Sequence, residues 1–203
     1  MTLDKQRPYV SGTIDPVVRA FDRFGLGPDA VSVLAFGMAI GAAVAFYLGG
    51  TVDRLWYLAA TVLVLANGWL DVVDGALARE QGVASRAGDL LDHVLDRYAD
   101  IVVIVGLAAG LEDFLLGIAA VTGVLMTSYL GTQAQAVGLD RVYGGLVGRA
   151  DRLAIIGVVA LLAYPISGEY AGYGLVGWLL VFLAVVGHLT ALQRFYHAWN
   201  ALE

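Results

Sequence analysis

Five stretches without a single charged side chain, residues 31–49, 55–70, 114–139, 153–168 and 170–187, set the terms for this sequence. Most reach the ~17–25 residues that a helix needs to cross a bilayer. In hydrocarbon a backbone must satisfy its own hydrogen bonds, so such stretches fold as helices. A sixth window, 101–111, is too short by itself. It becomes long enough if its helix begins near Gly88 and carries Asp89, Asp92, Asp96 and Asp100 in its first turns. The prediction is an all-α membrane protein with one domain over 1–203. Residues 1–27 hold a juxtamembrane amphipathic helix, and 28–203 form a bundle of six transmembrane helices.

With 59% hydrophobic and 15% charged residues, the composition argues against a water-soluble globule. Residues 1–23 are charged and mixed, so no cleavable signal is expected there. Cysteine is absent, which removes disulfides and thiolate metal sites from consideration. Nothing points to nucleic acid as a partner.

Basic residues collect in short cytoplasmic loops. Lys5, Arg7, Arg19 and Arg23 precede the first window, Arg79 and Arg86 follow the second, Arg141, Arg149 and Arg152 precede the fifth, and Arg194 follows the last. With Arg97, eleven of the twelve basic residues fall on one side and only Arg54 on the other. This predicts a multi-pass protein of the cell membrane with both termini in the cytoplasm and its acidic cluster at the cytoplasmic face. Ahead of the first span, Ile14, Val17, Val18, Phe21 and Phe24 recur at helical spacing, with Asp15 and Pro16 as cap and first turn. Such a helix lies either on the membrane surface or against the protein.

Asp71 and Asp74 are three residues apart and Asp92 and Asp96 four, so each pair shares one helix face. An ionised carboxylate deep in a membrane helix costs about 2.5–3.5 kcal/mol on insertion scales, and neighbouring carboxylates also repel one another. A bound divalent cation removes both costs. All-oxygen ligation favours a hard ion such as Mg²⁺, Mn²⁺ or Ca²⁺. The alternative is a solvated helix end in which these groups pair with Arg79, Arg86 and Arg97, but the helical pairing on both sides of one turn argues against it. Gly75 and Gly88 lie within about a turn of the carboxylates, where they either admit a ligand or serve helix packing. Gly37 and Gly41 read as a packing face. Arg79 stands where it could pair with a phosphate.

Taken together, Asp71, Asp74, Gly75, Ala78, Arg79, Gly88, Asp92 and Asp96 read D-x2-D-G-x2-A-R-x8-G-x3-D-x3-D. This resembles the signature of the CDP-alcohol phosphotransferase family at every fixed position. The resemblance implies transfer of a phospho-alcohol, phosphatidyl or archaetidyl, from a CDP-linked lipid donor to the hydroxyl of a small polar alcohol, with release of CMP. It implies one or two Mg²⁺ or Mn²⁺ ions on Asp71, Asp74 and Asp92, and Asp96 as general base and a further metal contact. Gly75, Ala78, Arg79 and Gly88 would line the nucleotide and diphosphate site, and a homodimer is expected.

Two later segments, "GRADRLAIIG" and "LTALQRF", are similar to those of the branch that makes phosphatidylinositol phosphate and its archaeal-lipid counterpart. That likeness puts Arg149, Arg152 and Arg194 on the acceptor's phosphate. Where the branch commonly has basic residues, this chain has Gly131 and Gln133. Inositol phosphate is the favoured acceptor, with glycerol phosphate and uncharged alcohols such as inositol or serine left open. A divalent-ion or small-solute transporter is the competing class, since such proteins also bury acidic pairs.

Overall fold

Among the described residues, four helices are long and apolar enough to cross a membrane. In the computed structural model, which describes residues 16–83, 85–140 and 145–203, they are α1 (Pro28–Thr51), α2 (Trp56–Glu80), α4 (Phe114–Ala136) and α6 (Leu175–Leu202). Between them lie α3 (Arg86–Leu111) and α5 (Arg149–Ala163). α3 has the length, 26 residues, but the segment from Arg86 to Asp100 carries Arg86, Asp89, Asp92, Asp96, Arg97 and Asp100. α5 is apolar beyond Arg152 but has only 15 residues. No strand occurs among the described residues. The outward faces carry large apolar side chains, among them Val33, Val44, Val62, Val105, Ile118 and Val185. In water such a surface would be a liability. In lipid it is the required one, and the chain is a multi-pass membrane protein.

Each helix begins and ends where its residues allow. Pro28 starts α1 at a position where its missing N–H costs nothing. The Ser85 hydroxyl accepts a hydrogen bond from the Gly88 N–H at 3.0 Å, which caps α3 close to the start expected from its aspartates. Asp113 caps α4 by accepting from Leu116 N–H at 3.0 Å, and Asp151 accepts from Gly148 N–H at 3.0 Å at the head of α5. At the far end of α5 the Arg54 guanidinium donates to the carbonyls of Ala163 and Ile166. Arg54 thus closes a helix terminus.

α1 packs against both α2 and α3, and α4 packs against α6. The α1–α3 crossing is close because small residues line it. A Cβ on Gly110 would stand 2.6 Å from the Phe46 carbonyl oxygen, Gly106 is pressed against Ala43, and Gly50 is pressed against Gly110 itself. Gly106 and Gly110 are thus a small-xxx-small pair in use. The expected packing face at Gly37 and Gly41 is only half realised. A Cβ on Gly41 would stand 3.3 Å from the Leu63 side chain, but nothing lies within 4 Å of one on Gly37, because that position looks outward. Gly110→Leu is expected to force α1 from α3 and destabilise the fold by about 1–3 kcal/mol or more. A thermal unfolding midpoint unchanged from wild type in detergent would contradict that packing.

Residues 16–23 are helical, with Val18 buried and Val17 and Phe21 packed against Val31, Ala35, Leu70, Val73 and Leu77. Phe24, just past its end, is 80% exposed. The Gln81 side chain donates to Asp22 Oδ1 at 2.9 Å, tying this segment to the end of α2. Ile14 and Asp15, also assigned to this helix from the sequence, lie outside the described residues.

Candidate active site

The turn between α2 and α3 brings the two aspartate pairs to one end of the bundle. At 1.5 Å per residue, Asp71 and Asp74 lie roughly 9–14 Å before the end of α2, and Asp92 and Asp96 roughly 9–15 Å after the start of α3. α1 supplies the third wall. The Ser32 hydroxyl donates to Asp74 Oδ2 at 2.7 Å and holds that buried carboxylate in one orientation. Ser32, Asn67, Asp71, Asp74, Asp92 and Asp96 line one small cavity, with Phe36, Leu95 and Ala99 on its apolar side.

Asp71, Asp74 and Asp92 each present a ligand oxygen, and these oxygens all lie within 4.8 Å of one another. A hard cation bonds oxygen at about 2.0–2.6 Å, so oxygens on opposite sides of it are separated by roughly 4–5 Å. The three carboxylates therefore fit a divalent ion with no rearrangement of the helices. Asp96 stands in the same cavity but outside this triad, with its Oδ1 2.8 Å from Arg149 Nη2.

Gly75 and Gly88 are free of packing pressure from the protein. A Cβ on Gly88 would be 3.4 Å from Ser85 Oγ and 3.5 Å from Asp29 Oδ1, and one on Gly75 would be 3.5 Å from Arg79 Nη1, all ordinary contacts. The helix-packing explanation for these two glycines has no support here. Ala78 is half-buried and Arg79 exposed in the last turn of α2, on the rim of this end of the bundle.

The three later arginines fall at the same end. Arg149 is the first residue of α5 and bridges the carboxylates, with Nη1 3.0 Å from Asp71 Oδ1 and Nε 3.8 Å from Asp100 Oδ1 in addition to its Asp96 contact. Arg152, one turn on, is buried with its Nη2 2.6 Å from Asp100 Oδ2. Arg97 reaches the same Asp100 oxygen at 3.2 Å. Removing one member of such a buried set leaves an unpaired charge, at a cost of about 3–5 kcal/mol. Arg152 and Thr127 line a second small cavity, and Arg194 Nη1 donates to the Thr127 carbonyl at 2.7 Å.

Ser32, Asn67 and Asp100 belong to this site without having been singled out from the sequence. Asn67 and Asp100 extend the helical series of the aspartates, four residues before Asp71 and four after Asp96, so the spacing did carry a signal. Asn67 Nδ2 donates to the Ala35 carbonyl at 2.9 Å, while its Oδ1 is buried without a partner beside the cavity. Ser32 is distant in sequence and had no comparable mark.

Proteins of known activity share this architecture. The family described as CDP-alcohol phosphatidyltransferase matches this chain over residues 26–190. An archaetidylinositol phosphate synthase of Methanothermobacter thermautotrophicus is 31% identical, over 99% of this chain and 96% of that protein. A phosphatidylinositol phosphate synthase of Mycolicibacterium smegmatis is 36% identical, over 88% of this chain and 80% of that protein. The crystal structure of the Mycobacterium tuberculosis phosphatidylinositol phosphate synthase in complex with manganese and citrate is similar, with a TM-score of 0.77 at 29% identity over 92% of this chain and 88% of that one. The same enzyme with CDP-DAG bound gives a TM-score of 0.75 over 92% of this chain and 93% of that one. With a matched family segment that takes in the whole acidic cavity and every helix that lines it, this chain belongs to the CDP-alcohol phosphatidyltransferase family.

Proposed function

We propose that the protein transfers a phosphatidyl or archaetidyl group from a CDP-linked lipid to the hydroxyl of inositol phosphate and releases CMP. The observation that carries this reading is the convergence of three carboxylates on one ion-sized space at one end of a lipid-facing bundle. Relatives at 31% and 36% identity, named archaetidylinositol phosphate synthase and phosphatidylinositol phosphate synthase, support the acceptor.

Asp71, Asp74 and Asp92 would hold one or two Mg²⁺ or Mn²⁺ ions, with Asp96 as a further contact; such an ion offsets negative charge on the donor diphosphate. Gly75 and Gly88 leave room for the nucleotide and diphosphate, with Ala78 beside them, and Arg79 adds a positive charge at the rim. Asp96 takes the proton of the acceptor hydroxyl as the new oxygen–phosphorus bond forms and the bond to CMP breaks. Arg149, Arg152 and Arg194 orient the acceptor's phosphate, for which a planar guanidinium is suited.

In this reading α3 and α5 complete a six-span bundle. α3 can do so because Asp92 and Asp96 face the cavity and Asp100 is buried among the helices. Residues 16–23 lie at the membrane surface with Phe24 directed to lipid. The eleven basic residues on one side put both termini and the active site at the cytoplasmic face, and a homodimer is the expected assembly. A lipid-linked donor and a water-soluble acceptor can meet at such a depth.

Purified protein with a CDP-linked lipid, Mn²⁺ and a panel of alcohols tests the proposal. CMP release is expected with inositol phosphate, and not with inositol, serine or glycerol phosphate at equal concentration. Release with an uncharged alcohol would overturn the acceptor assignment. Ion flux in vesicles without CMP release from any alcohol would overturn the transferase reading itself.

A further inference from the structure

Arg149 shares a ligand with the ion-sized triad. Its Nη1 lies 3.0 Å from Asp71 Oδ1, and Asp71 is one of the three residues whose oxygens converge. Its Nη2 holds Asp96 at 2.8 Å. A guanidinium keeps its charge at any working pH, so a permanent positive charge bears on the carboxylate that a divalent ion would also use. Like charges drawing on one ligand oppose each other. Arg149 is held to Asp71 and Asp100 by charge more than by aligned hydrogen bonds. Its Nε and Nη1 are buried, yet neither completes a hydrogen bond of good geometry, despite their closeness to Asp100 and Asp71. Buried donors of this kind are rare and call for a partner. The partner that suits a guanidinium fork is an oxyanion.

We propose that Arg149 couples cation binding to oxyanion binding: its guanidinium on Asp71 and Asp96 opposes the divalent ion, and a dianionic oxyanion that draws this guanidinium away from the two carboxylates relieves the opposition. Linkage makes the effect reciprocal, so the ion tightens the oxyanion by the same factor. The site is then complete only when both are present. Arg149 acts in this as a positioning residue, through Asp71 and Asp96. The inference rests on the reading that Arg149 faces the acceptor's phosphate.

The test measures Mn²⁺ affinity by the paramagnetic resonance of the free ion, on the full chain in detergent, without donor lipid and therefore without turnover. Sulfate serves as the dianion probe against chloride at equal ionic strength. In wild type, sulfate is expected to lower the Mn²⁺ dissociation constant about fivefold or more, the usual scale of such coupling. Arg149→Gln is expected to bind Mn²⁺ at least about fivefold more tightly than wild type in chloride, with no further gain from sulfate. Arg149→Lys keeps the charge without the fork. It should stay near wild type in chloride and lose most of the sulfate effect.

A residue that merely braces the cavity would, when replaced, weaken Mn²⁺ binding. Unchanged or weaker binding in Arg149→Gln overturns the proposal, and so does a sulfate effect of equal size in that variant and in wild type. Should Arg149→Gln fail to fold, wild type and Arg149→Lys decide the matter, because absence of a sulfate effect in wild type is also fatal. Failure of the underlying acceptor reading would show elsewhere, as CMP release with an unphosphorylated alcohol. Failure of the coupling alone would leave inositol phosphate as the working acceptor with no sulfate effect.

Discussion

Asp92→Asn is expected to lose divalent-ion binding and CMP release together, each by about a hundredfold or more. The amide keeps the shape of the side chain but gives up its charge and one strong oxygen donor. Of the three oxygens that lie within 4.8 Å of one another, one would then be neutral. The remaining pair, Asp71 and Asp74, holds an ion less well. Asp92 is half-exposed on the second turn of α3, so the fold itself should be little affected. A Mn²⁺ titration and a CMP-release assay on one preparation check this. Full activity in the variant would count against the site. Asp71→Asn is expected to behave alike and to lose in addition its contact with Arg149.

Asp96→Asn should separate binding from chemistry. Asp96 lies outside the converging triad but lines the same cavity, where its carboxylate pairs with Arg149 at 2.8 Å. An asparagine can still accept a hydrogen bond from Arg149, so the walls of the cavity are preserved. It cannot take a proton from an alcohol. General-base contributions run to about 10²–10⁴-fold, and the variant should lose turnover by that order while its affinity for the CDP-linked lipid stays near wild type. Calorimetry of donor binding beside the rate of CMP release makes the distinction. An unchanged rate would remove Asp96 from the role of base.

The features that survive from sequence to structure are those written in local spacing. Asp71 with Asp74, and Asp92 with Asp96, fall on shared helix faces because three and four residues make one turn, and α3 begins at Arg86 because Ser85 can cap it. What local spacing could not reveal was set by contacts distant along the chain. Gly37 and Gly41 have the same spacing as Gly106 and Gly110, yet only the second pair is pressed along its whole length against another backbone, since the direction a helix face looks depends on its neighbours. The cation that meets Asp71 and Asp96 is neither Arg79 nor Arg86, which stand close to the carboxylates in sequence. It is Arg149, which arrives from α5. Ser32 reaches Asp74 from α1 in the same way. The spans show a further limit of composition. The uncharged stretch 153–168 does not mark the bounds of its helix: α5 begins earlier, at Arg149, and ends at Ala163, where the chain leaves the helix before Pro165.

The chemistry at this end of the bundle depends on Asp71, Asp74 and Asp92 sharing a cation. Crystals of the protein grown with Mn²⁺ and a CDP-linked lipid, measured near the manganese absorption edge, test this most directly. The prediction is one or two anomalous peaks within about 2.0–2.4 Å of oxygens from these three residues, with the donor diphosphate against the same density. Clear density for the bound donor with no anomalous peak near these carboxylates would contradict it.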